Sequence, residues 1–155
     1  MLSRVKAKRW LQSASYQAKL FSTCSRRQYF AIVLDNSGHV LGTGFNGGPS
    51  GTVHCDQGGC PRVAADPEHG STYDNCIAIH AEANALLHSD YSARTAGCTV
   101  VVNGPPCWDC CKLICNSGAH TVVCYTDPAY ADWERIEAFF MANDVRVWSF
   151  SPELE

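Results

Sequence analysis

Four residues of the chain combine types and spacing that suit a catalytic metal site. Cys107 and Cys110 stand three apart in a Pro-Cys-x-x-Cys stretch, and His80 and Glu82 form a His-x-Glu stretch that begins 27 residues before Cys107. Residues three apart at a helix start lie on one face, so both sulfurs can reach one ion. The helix N-terminus also favours the thiolate form. Three protein ligands with one open position are typical of a catalytic zinc site.

These residue types match a hydrolytic reaction. The same set of residues resembles the signature of zinc nucleobase deaminases, which implies that zinc held by His80, Cys107 and Cys110 lowers the pKa of water and so supplies a nucleophile for a ring carbon that carries an amino group. Glu82 lies close to the metal in this arrangement without being a ligand. Its carboxylate can take the proton of the water and return it to the ring nitrogen and then to the departing amine. The pattern therefore predicts three metal ligands and Glu82 as the catalytic residue.

Other interpretations of the same residues exist. A Cys-x-x-Cys pair alone occurs in thioredoxin-like redox proteins, but the order of elements here does not predict that fold. A lone histidine is more often a packed core residue, and a lone glutamate is more often a solvated helix-cap residue. The combination of His-x-Glu with Pro-Cys-x-x-Cys, including Pro106, resembles the signature of zinc nucleobase deaminases and favours the metal site.

The elements around these motifs are predicted to form an α/β layer. Periodicity predicts a helix over 10–22, two strands around Asn36-Ser37-Gly38, a long loop over 52–79, helices over 80–89, 107–118 and 130–144, and strands over 98–103, 120–126 and 145–150. The strand–helix alternation in the second half predicts parallel strands. The residues between His80 and Cys107 have room for one helix, one strand and a turn. This connection brings the starts of the helices at His80 and Cys107 together at the sheet edge where ligands bind.

Composition places limits on function. A chain of 155 residues has the size of one domain, and its net charge of −3 argues against broad nucleic-acid binding. No apolar run is long enough to span a bilayer, and the N-terminal residues lack the uninterrupted apolar stretch that is expected of a secretory signal. Ten cysteines without such a signal favour metal binding in a reducing compartment over a set of disulfides.

The basic residues concentrate near the N-terminus. Residues 1–34 contain seven lysines and arginines and no acidic residue. Such a segment is either an organellar presequence or a first helix of the domain that faces an anionic ligand. We favour the second interpretation, because the family resemblance described next begins near Lys8.

The chain resembles the deoxycytidylate (dCMP) deaminase family in several stretches at once. These are HAE (80–82) and PCWDC (106–110), with CSRRQ (24–28), GFNGGPSG (44–51) and HCDQGGC (54–60). The resemblance runs from about Lys8 to the last strand. It implies a single domain over 1–155 with an α/β fold, a three-layer α/β/α cytidine deaminase-like sandwich around a five-stranded mixed sheet. It also implies zinc-dependent hydrolysis of dCMP to dUMP and ammonia, which supplies dUMP for thymidylate synthesis in a bacterial or phage-infected cytoplasm.

The resemblance further implies binding roles. Asn46 would bind the sugar, the backbone N–H of Ala81 would meet the base edge, and Arg26, Arg27 and Tyr130 would contact phosphates of substrate or effector. The loop formed by Gly44, Phe45, Asn46 and Gly47 would transmit activation by dCTP with Mg²⁺ and inhibition by dTTP in a homohexamer, with no nucleic-acid or membrane partner. The alternatives are a turn-forming asparagine, solvated arginines and a packing tyrosine.

A second, structural zinc is also implied by the resemblance. Some family members tie the cysteine-rich loop to the first helix in this way, and Cys24, Cys55 and Cys76 occupy or adjoin the matching positions. The fourth ligand would be Cys60 or His69, and a closed four-ligand site would hold the loop. The alternative is a set of free buried cysteines. The remaining cysteines are expected to be ordinary core residues: Cys98, Cys111, Cys115 and Cys124.

Some positions depart from the family pattern. Tyr29-Phe30 stands where Val-Gly is usual, Phe45 replaces a common tyrosine, and glycine and proline precede Pro106-Cys107. Effector control and base selectivity depend on these altered loops.

Alternative substrates are cytidine, a modified deoxycytidylate, or a base in tRNA or DNA. A non-catalytic zinc-binding module is the alternative from another class, and it would be expected to lack Glu82.

Overall fold

The computed structural model describes residues 2–65, 75–94 and 96–152, so His69 lies outside the described residues. The helices are α1 (Arg4–Phe21), α2 (Pro61–Ala65), α3 (Ala81–Leu87), α4 (Tyr91–Arg94), α5 (Trp108–Asn116) and α6 (Trp133–Ala142). The strands are β1 (Phe30–Leu34), β2 (Val40–Phe45), β3 (Cys98–Val102), β4 (Ala119–Tyr125) and β5 (Arg146–Phe150).

The strands form one five-stranded mixed sheet in the order β2-β1-β3-β4-β5. β1 pairs antiparallel with both β2 and β3, whereas β3, β4 and β5 run parallel. The two strands predicted around Asn36-Ser37-Gly38 therefore form an antiparallel hairpin, and the predicted parallel half of the sheet is confirmed. The helix α5 connects β3 to β4 and α6 connects β4 to β5, so both helices start at the carboxyl edge of the sheet.

Helices cover both faces of this sheet. On one face, α1 packs its buried residues against Ile32, Val101 and Val123. On the other face, α3, α5 and α6 pack against Val33 and Val100 among others. Because alternate strand residues point to opposite faces, the all-buried strands β1 and β3 supply both cores. The result is the predicted α/β/α sandwich.

The first helix starts earlier than the predicted residue 10. Ser3 caps it, because its Oγ accepts a hydrogen bond from the N–H of Lys6 at 3.3 Å. Ala7, Leu11 and their neighbours at helical spacing are fully buried against the sheet. The basic segment up to Phe21 is therefore part of the folded domain. Phe21 itself is half exposed and stacks on Phe45, with ring centroids 6.1 Å apart.

The stretch predicted as a long loop contains local structure where the chain is described. A 3₁₀ turn covers Cys55–Gln57 and the short helix α2 follows it. The prediction missed both, because turns of this length have too few residues to show a hydrophobic period. Within the described ranges, no helix combines the length and apolar character that a bilayer-spanning helix needs.

Glycines on β2 allow α3 to approach that strand closely. A Cβ on Gly44 would lie 2.3 Å from the backbone nitrogen of Ala85 and 2.5 Å from the carbonyl oxygen of Ala81. Both atoms belong to the backbone of α3 and cannot rotate away. The glycine therefore fixes where the helix that begins beside His80 sits on the sheet.

We expect the substitution Gly44→Ala to lower the free energy of unfolding by about 3 kcal/mol, because the added methyl group forces α3 away from β2. Urea unfolding measures this loss. Thr43→Ala is the matched control on the same strand, since Thr43 is exposed, and it should leave the unfolding midpoint close to that of the unmodified protein. Equal midpoints for the two variants would show that the close approach of α3 to β2 contributes nothing to stability.

Candidate metal centre

Two helix starts meet at the site. His80 is the N-cap residue of α3 and Cys107 is the N-cap residue of α5, and the two helices pack against each other. Cys110 lies in the first turn of α5 and donates its backbone N–H to the Cys107 sulfur at 3.5 Å. The short connection from β3 into α5 therefore carries both cysteines to His80, as the spacing predicts.

The ligand atoms of His80, Cys107 and Cys110 all lie within 4.8 Å of one another. The Nδ1 atom of His80 is 3.4 Å from each of the two sulfurs. Zinc bonds of about 2.3 Å to sulfur and 2.0 Å to nitrogen at a tetrahedral angle require a nitrogen–sulfur separation of roughly 3.5 Å. The arrangement of the three side chains thus fits a zinc ion and leaves one coordination position for another ligand.

The charges of the two cysteines are linked. The hydrogen bond from the Cys110 thiol, followed by that from His80, lowers the pKa of Cys107 to about 4 in spite of its burial. The same bond to Cys107 raises the pKa of Cys110. The hydrogen bond to Cys107 also raises the pKa of His80. One thiolate is therefore favoured before any cation arrives, and a cation stabilises the second.

Glu82 lies beside this trio in the first turn of α3. Its side chain is only 5% exposed, and it makes a side-chain hydrogen bond with Cys110. Burial is the main reason why the pKa of Glu82 lies above its ordinary value. A buried carboxyl group next to two sulfur ligands can take up and release a proton there.

The loop that contains Gly44, Phe45, Asn46 and Gly47 is joined directly to the segment before His80. Gly47 and Ile79 form an antiparallel bridge, with Ile79 N–H to Gly47 O at 2.8 Å and Gly47 N–H to Ile79 O at 3.2 Å. On α3, the amide of Asn84 donates to the carbonyl of Phe45 at 2.8 Å. A displacement of this loop therefore acts on both the N-cap and the second turn of α3.

Asn46 is buried and its side chain holds the neighbouring segment in place. Its Oδ1 accepts hydrogen bonds from the Tyr29 N–H at 2.8 Å and from the Ser22 hydroxyl, and its Nδ2 donates to the Arg27 carbonyl at 2.8 Å. An asparagine amide has two acceptor positions and two donor hydrogens. One donor hydrogen of Asn46 therefore remains for a ligand.

The other predicted binding residues occupy several places. Ala81 is buried and is the first residue of α3, where the backbone N–H has no partner within the helix. Arg26 and Arg27 lie between α1 and β1, the first half-buried and the second exposed. Tyr130 lies in the connection from β4 to α6 and packs against the larger core. The connection from α1 to β1, which contains Arg26 and Arg27, and the connection from β4 to α6, which contains Tyr130, both lie at the sheet edge at which α5 begins.

The four cysteines predicted for a second metal ion lie on segments that contact one another. The N–H of Asp56 bonds to Thr23 O at 3.0 Å, which sets Cys55 beside Cys24. Burial, a hydrogen bond with Cys60 and the nearby charges of Cys60, Cys24 and Cys76 raise the pKa of Cys55 to about 12. Burial opposes ionisation of Cys60, but N–H groups that include that of Ile77 hold its pKa below the ordinary value. This set is less compact than the first, since the described residues contain no second trio of ligand atoms within 4.8 Å.

Three of the four remaining cysteines match the prediction that they are packed in the core, whereas Cys115 is only partly buried and packs against the edge of the larger core. Cys98, Cys111 and Cys124 are fully buried, and Cys111 donates its S–H to the Ile136 carbonyl.

The sequence prediction did not include two residues at the site. Asn84 anchors Phe45, and Trp108, which follows Cys107, contacts α6. Asn84 could have been found from its position on the predicted helix that starts at His80. Trp108 could have been found because it directly follows the predicted metal ligand Cys107.

Comparison with known proteins gives the family. The profile of the family described as the cytidine and deoxycytidylate deaminase zinc-binding region matches residues 4–126. The deoxycytidylate deaminase of Mycobacterium phage D29 is 39% identical over 107 residues, which are 66% of this chain and 80% of that protein. The deoxycytidylate deaminase of Schizosaccharomyces pombe is 34% identical over 117 residues, and this match spans 76% of the chain but only 36% of that protein.

Solved structures agree with the fold. The dCMP deaminase of the cyanophage S-TIM5, crystallised with dCMP and dUMP, superposes with a TM-score of 0.68 at 24% identity and covers 97% of this chain and 100% of its own. This likeness confirms the predicted cytidine deaminase-like sandwich. Because the family profile covers most of the chain and includes His80, Glu82, Cys107 and Cys110, the chain belongs to the cytidine and deoxycytidylate deaminase family, as its motifs predict.

Proposed function

We propose that the chain is a zinc-dependent dCMP deaminase that hydrolyses dCMP to dUMP and ammonia. The observation that carries this proposal is the trio of His80, Cys107 and Cys110 with the buried Glu82 beside it. The 39% identity to a phage deoxycytidylate deaminase supports dCMP as the substrate over free cytidine. The product dUMP would serve thymidylate synthesis in the cytoplasm.

The reaction replaces the 4-amino group of cytosine by an oxygen from water. When bound at the trio, zinc supplies the Lewis acidity that prepares water for attack at C4. Glu82 accepts a proton from that water and passes it to N3 of the ring. A second transfer through Glu82 carries the remaining hydroxyl proton of the added water to the amino group, so that the C4–N bond breaks and ammonia leaves. The raised pKa of Glu82 suits a group that must hold a proton between these steps.

The same proposal gives roles to the binding residues. The N–H of Ala81 meets the cytosine edge, because a small side chain at the start of α3 lets the ring approach the backbone. The remaining amide hydrogen of Asn46 bonds to the deoxyribose. Arg26, Arg27 and Tyr130 are assigned to phosphates of substrate or effector. These three belong to segments on the carboxyl side of the parallel strands, where such ligands bind.

Regulation forms a further part of the proposal. Gly44, Phe45, Asn46 and Gly47 bind or sense dCTP with Mg²⁺ as activator and dTTP as inhibitor, in a homohexamer. The bridge from Gly47 to Ile79 supports this assignment, because it joins the loop to the residue before His80. Phe45 lacks the hydroxyl of the commoner tyrosine but stacks on Phe21, so a signal through the loop would also reach the end of α1.

We also propose a structural zinc held by Cys24, Cys55, Cys60 and Cys76. The hydrogen bond between the side chains of Cys55 and Cys60 and the backbone contact between the segments of Cys24 and Cys55 support it. We expect Cys55→Ala to lower the bound zinc by one equivalent and to lower Tm, because the loop after β2 loses its anchor. Elemental analysis and thermal unfolding measure both effects. Cys98→Ala is the control, and equal zinc content in the two variants would contradict the second site.

The substrate assignment is tested by ammonia release from dCMP and from deoxycytidine, each with and without dCTP and Mg²⁺. We expect turnover of dCMP and little of the nucleoside. Stimulation by dCTP would support the regulatory role of the loop around Phe45. Equal turnover of both substrates would remove the phosphate roles of Arg26, Arg27 and Tyr130, and inactivity on both would refute the assignment to dCMP.

A further inference from the structure

We infer that Arg135 is a specificity-determining residue that binds the 5′-phosphate of the substrate and is held in position by Trp108. This inference rests on the proposed function, because it assumes a deoxynucleotide with its cytosine at the trio of His80, Cys107 and Cys110. It adds a residue to which neither the motifs nor the family resemblance gives a role.

The fold puts Arg135 at the correct edge of the sheet. The helices α5 and α6 follow the neighbouring parallel strands β3 and β4, so their first turns lie side by side. Trp108 is the residue after Cys107 and opens α5, whereas Arg135 lies in the first turn of α6. Ligands of parallel sheets bind at this carboxyl edge, next to helix starts.

The indole ring of Trp108 connects the two helix starts. The guanidinium carbon of Arg135 lies 4.2 Å from the centre of this ring, and the ring of Phe139 meets it edge-on at 4.9 Å. Consecutive Cα atoms are about 3.8 Å apart, so the guanidinium is separated from Cys107 by one residue step and one ring. The inference requires a nucleotide to span this separation, with its base at the trio and its phosphate, on the far side of the sugar, at the guanidinium.

The stacked guanidinium still presents its N–H groups to solvent. Stacking occupies one face of the planar group, and all its donors lie in the plane of the group. The side chain of Arg135 remains 55% exposed, and its contact with Asp132 is long at 3.5 Å between two exposed groups. An exposed ion pair of this kind is weak, so a phosphate dianion can displace the carboxylate.

The charges around this position favour Arg135 over its neighbour Lys112. The first turns of α5 and α6 contain the carboxylates of Asp109 and Glu134, which repel a phosphate unless a cation intervenes. Lys112 forms a short 2.6 Å ion pair with Asp109 and lies in the second turn of α5. Arg135 lies in the first turn of α6, and its longer ion pair with Asp132 leaves N–H donors exposed. The ring of Trp108 already restricts the rotamers of Arg135, so the side chain loses less conformational freedom when it binds a phosphate.

The test compares kcat/KM for dCMP and for deoxycytidine. In the unmodified protein the ratio of the two values should be large, and R135Q should lower this ratio about 100-fold through a higher KM for dCMP, because two charge-assisted hydrogen bonds are lost. R135K keeps the positive charge but lacks the planar set of donors of arginine, so its ratio should lie between those of the unmodified protein and R135Q. Arg146→Gln is the matched control, since Arg146 is exposed at the opposite edge of the sheet, and it should keep the original ratio.

The outcomes separate this inference from the proposed function. If the unmodified protein turns over dCMP and R135Q keeps the original ratio while its Tm falls, the contact with Trp108 is structural only and the inference is overturned. If the unmodified protein deaminates neither substrate, the proposed function fails, and the inference fails with it. Should R135Q not fold, the ratio measured for R135K decides, and an unchanged ratio there overturns the inference.

Discussion

The substitution Glu82→Gln is expected to lower kcat for dCMP deamination about 10³- to 10⁴-fold while zinc remains bound. Glutamine has the same shape as glutamate but cannot take a proton from water or deliver one to the ring nitrogen. General acid–base catalysis is worth about 10² to 10⁴ in rate, and Glu82 is proposed to act in more than one transfer. Ammonia release gives the rate, and elemental analysis gives the zinc content.

A matched control is Glu134→Gln, because Glu134 is an exposed acidic residue in the first turn of α6. It should keep kcat within about threefold of the original, as is usual for a surface substitution away from the reacting atoms. A Glu82→Gln protein that retains its zinc and loses less than tenfold in kcat would falsify the proton-transfer role of Glu82.

The second large effect is expected from removal of a sulfur ligand. Cys110→Ala should lose the zinc of the catalytic site and reduce activity below detection, because two ligands cannot retain the ion against chelators. The loss of the buried thiol also removes a hydrogen-bonding partner of Cys107 and Glu82. Zinc content after dialysis against a chelator and ammonia release measure the two consequences.

Cys111→Ala separates metal binding from packing. Cys111 is the next residue on the same helix, is equally buried, and bonds to the carbonyl of Ile136 on α6 instead of pointing to His80. Its substitution should lower Tm slightly and leave zinc content and kcat unchanged. If Cys110→Ala binds as much zinc as Cys111→Ala does, then the trio is not the zinc site.

Much of the site follows from local sequence rules. The connection between His80 and Cys107 has room for one helix and one strand, and the right-handed crossover rule then leaves few places for Cys107 other than beside His80. The parallel strands were predictable for the same reason, because each helix between them is long enough to return the chain. The start of α1 was missed, since it depends on the Ser3 cap and on Ala7, whose small side chain gives a weak hydrophobic signal.

Other features depend on contacts between segments far apart in sequence. No periodicity shows that Asn46 holds Tyr29 and Arg27, or that Gly44 lies against the backbone of α3. The stacking of Arg135 on Trp108 joins two helices through side chains whose rotamers are set by tertiary packing. Motifs identify residues that do chemistry, whereas residues that hold or select a ligand become visible once the segments are placed together.

The most direct test of the account is deamination of dCMP in ¹⁸O-labelled water by the zinc-loaded protein, followed by mass spectrometry of the nucleotide. We expect dUMP that carries one labelled oxygen at C4, one ammonia released for each dUMP formed, and loss of both products after zinc is removed. Recovery of unchanged dCMP from a folded, zinc-loaded protein, with and without dCTP and Mg²⁺, would contradict it. So would formation of unlabelled dUMP, because the oxygen would then not come from water.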